Sequence, residues 1–309
     1  MQSIIPAVEK ALLLSELGPE RFVRKANFGT NEIYIVNHQN SPNVVREIGR
    51  LRELTFRSAG GGTGHELDLD HFDLAENGYQ QLLVWNPETR DIVGGYRYID
   101  CKGVDVIYGV PELSTSELFR FSPKFIAEYL PYTIELGRSF VQPEYQPSAS
   151  NRKGLFSLDN LWDGLGALVI NNPEVRHFFG KITMYPNFQD GARDAIHYFM
   201  NHYFPDTEKL VTPLSELGYK TNIAMLKGMF DGMDYKEGHK VLNQYVRKLG
   251  ENIPPLVNAY MNLSLTMKNF GTAINDHFGD VEETGILVSI QDIYPSKKER
   301  HVATYEPNA

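Results

Sequence analysis

The sequence predicts an α/β chain of the α+β kind, with a central, mostly antiparallel sheet and helices on both faces. Two observations predict it. Residues 79–86 and 92–99 read as strands joined by a tight turn over 88–91, which makes them an antiparallel hairpin. The order of elements is helix, hairpin, strand, helix, strand, helix and two late strands, which suits a sheet layered with helices.

The elements follow from local pattern. Residues 3–16 carry apolar side chains at helical spacing and predict a short helix, and residues 28–36 alternate as a strand does. Residues 43–57 predict a helix with Val45, Ile48, Leu51, Leu54 and Phe56 roughly on one side. Ser58-Ala-Gly-Gly-Gly-Thr-Gly64 reads as a flexible break. A phosphate loop would need Lys-Ser/Thr after its glycines, and His65-Glu66-Leu67-Asp68 follows instead. Residues 133–141 form a strand rich in apolar and β-branched residues that stops before Pro143. After a polar loop, 155–170 is an amphipathic helix whose stripe is Phe156, Leu158, Leu161, Trp162, Leu165 and Leu168. Residues 178–185 read as a strand, 190–203 as a helix, 256–263 as a helix, and 264–270 and 284–293 as strands. The expected organisation is one domain over 1–309, with an N-terminal extension over 1–44, a core over 45–203 and 253–295, and an insertion over 204–252.

Composition excludes several classes. A net charge of −9 argues against a nucleic-acid binder, which must neutralise phosphates. The single cysteine, Cys101, excludes an intrachain disulfide and a Cys-based zinc site. No apolar run reaches the roughly 18 residues of a membrane span, and residues 1–20 lack a basic leader, so a cytoplasmic location is expected. The histidines show no ligand spacing, and we expect no metal.

Chemistry concentrates in Glu135-Leu-Gly-Arg138. An acid and a base three residues apart on a regular strand face opposite ways, so both serve one site only if the strand bulges between them. Gly137 is the expected mark of that bulge or of a close backbone approach. The run Glu66-Leu-Asp68-Leu-Asp70-His71-Phe72-Asp73, if extended, aims Glu66, Asp68 and Asp70 at one side as a negative pocket for an ammonium group. It is no EF-hand, because from Asp68 the sixth and twelfth positions hold Asp73 and Tyr79. Gly94-Gly95-Tyr96-Arg97 ends the hairpin with a cation. Cys101 and Ser139 lack the surroundings of a nucleophile.

Together, Asp68-x-Asp70-x-Phe72-Asp73, Val93-Gly94-Gly95-Tyr96-Arg97 and Glu135-Leu136-Gly137-Arg138-Ser139, with Val141-x-Pro143-x-Tyr145, resemble a known family. They are similar to the N-acyltransferases of bacterial aminolipid synthesis, the ornithine-lipid and glycine-lipid enzymes often labelled hemolysin-like, within the GNAT acyltransferase superfamily. A looser likeness reaches the acyl-homoserine-lactone synthases. The resemblance runs over about 46–185 and resumes at Ile253-Pro-Pro-Leu-Val-Asn-Ala-Tyr260.

The resemblance implies a GNAT fold whose strand at Val141 splays from its neighbour and receives the pantetheine arm of a thioester donor. Ser139, Phe140 and Val141, with Arg152, Lys153 and Gly154, would bind that donor. Glu135 would take the proton of the attacking amine, Asp68 and Asp70 would hold the ammonium, and Arg138 and Arg97 would keep the carboxylates ionised or grip an acceptor carboxylate. The extra residues Pro147-Ser-Ala-Ser150 spoil the usual pyrophosphate turn. They favour acyl carrier protein over acyl-CoA as the form of the co-substrate, with a (3-hydroxy)fatty acyl chain and no permanently bound cofactor. A basic patch of Arg152, Lys153, Arg176, Lys181 and Arg193 would dock the carrier. The acceptor is an amino acid, and peripheral membrane association would follow from a lipid product. The rival expectations are an acetyl-CoA-dependent small-amine acetyltransferase and a non-enzymatic hemolysin-like protein.

Overall fold

A computed structural model of the chain describes residues 1–146 and 156–307. Its helices are α1 Lys10–Glu16, α2 Pro42–Ser58, α3 His71–Leu74, α4 Ser157–Asn171, α5 Asp190–Tyr203, α6 Ile223–Phe230, α7 Tyr235–Lys248, α8 Pro255–Met261 and α9 Pro295–His301. Its strands are β1 Phe22–Lys25, β2 Glu32–Val36, β3 Gln80–Asn86, β4 Asp91–Asp100, β5 Val106–Ile107, β6 Val110–Pro111 and β7 Phe119–Phe121. Next come β8 Thr133–Val141, β9 His177–Met184, β10 Val211–Pro213, β11 Lys268–Asn275 and β12 Val281–Ser289. The chain divides into two compact units, one of residues 1–101, 134–176 and 294–309, the other of 102–133 and 177–293.

The first unit holds an antiparallel sheet in the order β1, β2, β3, β4, β8. Residues 81–85 of β3 are all buried, so the sheet is covered on both faces there. Helix α4 packs on β3, and Gly164 makes room for Leu82, which stands 2.6 Å from where a Cβ would be. Helix α2 buries Val44, Val45, Ile48, Leu51 and Phe56 on one side, and its first N–H groups are capped by Glu16, which ends α1. The C-terminal α9 lies on α4, where His301 Nδ1 pairs with Asp163 at 2.8 Å.

The second unit holds the antiparallel ladder β9, β12, β11, with a small hairpin, β5–β6, and a short antiparallel pairing of β7 with β10. Helices α6 and α7 pack on α5 through Leu226, Phe230, Leu242 and Val246, all fully buried. Residues 204–251 therefore carry their own apolar core, despite their polar, mixed composition.

The structure departs from expectation in several places. The helix read as 3–16 covers only Lys10–Glu16. The strand read as 28–36 begins at Glu32, because residues 27–31 form a turn through Gly29 (φ 84°), and β1 precedes it. The late strands lie at 268–275 and 281–289 rather than 264–270 and 284–293. Polar residues misled the reading there, since Thr272 and Thr284 bond each other at 2.7 Å inside the ladder and Glu283 meets Thr183. Helix α9 has no counterpart in the expectation. Finally, the glycine-rich segment is no flexible break. It is clasped on the buried Glu53, which accepts from Thr63 N–H and Gly64 N–H, each at 2.9 Å. Its amides point inward at a carboxylate of the chain itself.

Candidate active site

The candidate site lies wholly in the first unit and is built from α2, the loop leading into α3, β3, β4 and β8. Its centre is Arg97, almost completely buried on β4. One Arg97 nitrogen donates to Asp70 at 2.7 Å and to Asp73 at 3.0 Å. Asp73 accepts in turn from Arg52 of α2 at 3.1 Å and from Gln81 at 2.9 Å, and Gln81 accepts from Arg52. Local sequence places the acids. Asp70 caps α3 and Asp73 closes the reciprocal capping box, so both carboxylates are fixed by one turn of helix. Asp68 is held because its N–H donates to the Gly49 carbonyl of α2 at 3.0 Å, an approach that a side chain at Gly49 would obstruct through Leu69.

Electrostatics divides these acids. Burial alone would raise the Asp73 carboxyl, but the charges of Arg52 and Arg97 hold it well below the usual carboxylate range. Burial raises the Asp68 carboxyl, with Arg138 opposing. Arg97 is held more basic than usual by Asp73 and Asp70 against its own burial.

On β8 the expected bulge is present. Gly95 pairs with Phe140 and Arg97 with Gly137, which leaves two β8 residues, Arg138 and Ser139, opposite the single Tyr96. The positive backbone angle sits on Arg138 (φ 48°), not on Gly137. Gly137 serves a close approach instead, because Arg97 Nε lies 3.3 Å from where its Cβ would be. The bulge turns Arg138 toward Asp68, and Arg138 Nε stands 3.1 Å from Oδ1 and 3.0 Å from Oδ2. Glu135 is fully buried and accepts from the Tyr79 hydroxyl at 2.8 Å. Ser139 and Val141 are half-buried and Phe140 is buried. Within the unit, β8 is the terminal strand, bonded to β4.

The structure thus brings together Asp70 and Arg97, and Asp68 and Arg138, pairings that the sequence had left unassigned. It corrects the acidic run, which is not an extended strand. Glu66 is exposed, Asp70 begins a helix, and Asp73 is the acid most tightly held. Sequence reasoning missed Arg52, Gln81 and Tyr79. A signal existed for Arg52, which follows Ile48 by four on the apolar face of α2, where an unpaired cation would be costly. Arg193, expected in a surface patch, is buried and paired with Asp194 and Glu282, and Lys181 lies 3.8 Å from Glu283. Arg152, Lys153 and Gly154 lie outside the described residues. Among the described residues, no group of three or more His, Cys, Asp or Glu side chains is disposed to hold a metal ion.

The profile of the acetyltransferase (GNAT) domain family matches residues 51–153, a span that contains every site residue named from Arg52 to Arg138. The glycine N(alpha)-acyltransferase of Bacteroides thetaiotaomicron is 55% identical over 99% of this chain and 91% of its own. The protein of the same name from Phocaeicola vulgatus is 53% identical over 99% of this chain and 94% of its own. The chain belongs to their GNAT N-acyltransferase family. Among solved structures, this N-acyltransferase is similar to the acyl-homoserine-lactone synthase LasI (TM-score 0.44, 10% identity, 90% of this chain and 98% of that one). It is also similar to the CoA-dependent synthase BjaI in complex with SAM and isopentyl-CoA (TM-score 0.37, 11% identity, 86% and 85%). In this N-acyltransferase the two buried arginines, Arg52 and Arg97, are committed to aspartates. Arg138, whose side chain is 14% exposed against 3% for Arg97 and 0% for Arg52, is paired with Asp68.

Proposed function

We propose that this N-acyltransferase moves a long-chain, 3-hydroxylated acyl group from an acyl carrier protein thioester to the α-amine of glycine, in the synthesis of an aminolipid. The observation that carries the acceptor is the near-full-length identity, 55% and 53%, to two proteins named glycine N(alpha)-acyltransferases. The site geometry supports it. Arg138 receives the glycine carboxylate, a planar anion suited to a guanidinium fork. Asp68 and Asp70 attract the ammonium that precedes the free amine, Asp70 being the more open. Arg97, with Arg52, keeps Asp73 ionised. The pantetheine arm lies along the β8 segment of Ser139, Phe140 and Val141. The amine nitrogen attacks the thioester carbonyl, the carbon–sulfur bond breaks, and the thiolate leaves to be protonated. The nitrogen loses its proton to Glu135, directly or through a water.

The test combines purified protein, a 3-hydroxyacyl carrier protein and glycine, reading carrier thiol release and N-acylglycine by mass spectrometry. Glu135→Gln should lower turnover by about 10²-fold or more. Equal turnover with ornithine would remove glycine as the acceptor, and saturable turnover with acetyl-CoA alone would favour the acetyltransferase reading. One observation favours a second base, since burial raises the Asp68 carboxyl above its ordinary value. Loss of activity in Asp68→Asn with activity kept in Glu135→Gln would move the role to Asp68.

A further inference from the structure

Tyr79 stands outside every motif that marks this site, yet it touches three of its parts. Its backbone N–H donates to the Phe72 carbonyl at 2.7 Å, fixing it to the α3 turn that carries Asp70 and Asp73. Gly78 permits that contact, because a Cβ there would sit 2.4 Å from the same carbonyl. The ring lies beneath the Arg97 guanidinium, 5.0 Å from the ring centroid, and meets Phe72 edge-on at 5.6 Å. The hydroxyl reaches across to β8 and donates to Glu135 Oε2 at 2.8 Å. Both side chains are essentially free of solvent, Tyr79 at 1% and Glu135 at 0% exposure.

A carboxylate with no solvent contact is driven toward its neutral form unless donors stabilise the charge. The Cys101 thiol follows β4, and burial first, then the charge of Glu135, pushes it well above its usual value, so it stays neutral; Asp100 stands beside it. Arg97 acts across the Tyr79 ring, and Arg138 pairs with Asp68 three residues further along β8. The phenol hydroxyl is therefore aimed at a buried carboxyl group, on a ring that the Arg97 guanidinium covers.

We propose that Tyr79 is the positioning residue for the proton acceptor, its hydroxyl pinning the Glu135 carboxylate and tying it to the Arg97–Asp70–Asp73 cluster. The proposal rests on Glu135 accepting the proton. Tyr79→Phe is the discriminating variant, since it keeps the ring contacts to Arg97 and Phe72 and removes only the donor.

The experiment is the pH profile of kcat at saturating glycine, followed by carrier thiol release. Removing a hydrogen bond to a charged group should move the acid limb upward by about one unit, lower the rate about tenfold on that limb, and restore it at alkaline pH. Site-specific 3-fluorotyrosine at position 79, a stronger donor that preserves the fold, should move the limb the other way, and it serves if Tyr79→Phe does not fold. An acid limb unmoved in either variant, whatever the rate, overturns the positioning role. Glu135→Gln, measured alongside, separates the two readings. If it retains wild-type turnover and acid limb, the assignment of Glu135 fails and this role fails with it. If it is inactive while both Tyr79 variants keep the wild-type limb, only the Tyr79 role fails.

Discussion

Arg138 joins local strain to function more clearly than any other residue of this protein. A left-handed backbone angle on a non-glycine residue costs roughly 1–3 kcal/mol and persists where the surroundings over-determine it. Here the surroundings are the β4–β8 ladder on both sides of the bulge and the buried Asp68. The conformation aims the side chain toward Asp68, whose carboxyl burial raises. If Arg138 also grips the acceptor carboxylate, Arg138→Lys should keep the pairing with Asp68 but lose the fork. KM for glycine should then rise about tenfold with kcat changed little. Steady-state kinetics with varied glycine checks this, and an equal fall in kcat with KM constant would assign Arg138 to the transition state instead. Glu135 and Arg138 were legible in the sequence because a charged pair in an apolar strand is conspicuous. Gln81 and Tyr79 were not, because their partners are 8 and 56 residues away and no local pattern joins them, and Arg52 left only the trace of a cation on an apolar helix face.

At the scale of the element, the two glycines of β4 decide how closely the hairpin and β8 approach. A Cβ on Gly94 would sit 2.3 Å from the Phe140 carbonyl oxygen and 3.1 Å from the Val141 Cα, both backbone atoms that cannot move aside. Gly94→Ala should therefore pry open the ladder just where the donor segment begins. We expect a stability loss of about 1–3 kcal/mol by chemical denaturation, with a larger fractional loss of activity. Gly103→Ala is the matched control, since nothing lies within 4 Å of its added Cβ, and it should be neutral. An equally neutral Gly94→Ala would show that the strands can separate without cost. Strands with one dominant period, such as β8 and β3, were placed from sequence within a residue. The late hairpin β11–β12 was displaced because its threonines and glutamates pair with one another inside the sheet, so polarity there did not mean loop.

Over the whole molecule, paired carboxylates set the response to acid. Asp73, Glu53, Asp91, Asp194 and Glu208 are all held below their ordinary values. For Glu208, hydrogen bonds from Lys124 and Lys268 carry the carboxyl down to about 2. A carboxyl lower in the folded than in the unfolded chain contributes stability above its unfolded value, about 4, and loses it as the pH falls toward the folded value. Asp68, raised by burial, has the opposite sign and offsets a part. The thermal midpoint should thus be nearly flat from about pH 7 to 5 and fall steeply below about 4, as circular dichroism can follow. A midpoint insensitive to pH down to about 2 would mean that these pairs contribute little. Among the described residues, no helix is long and apolar enough to cross a membrane.

The sequence by itself determined the elements of strong period, the family motifs, and the residue types that acyl transfer to an amine requires. It did so because strand and helix periodicity is local and because a charge in an apolar strand is costly wherever the strand lies. The tertiary structure decided which acid each arginine holds. It placed the left-handed backbone of the bulge at Arg138, turned the acidic run into a capped helix, and set Tyr79 against Glu135. Those choices depend on contacts between segments tens of residues apart, where burial fixes which charges can exist only in pairs.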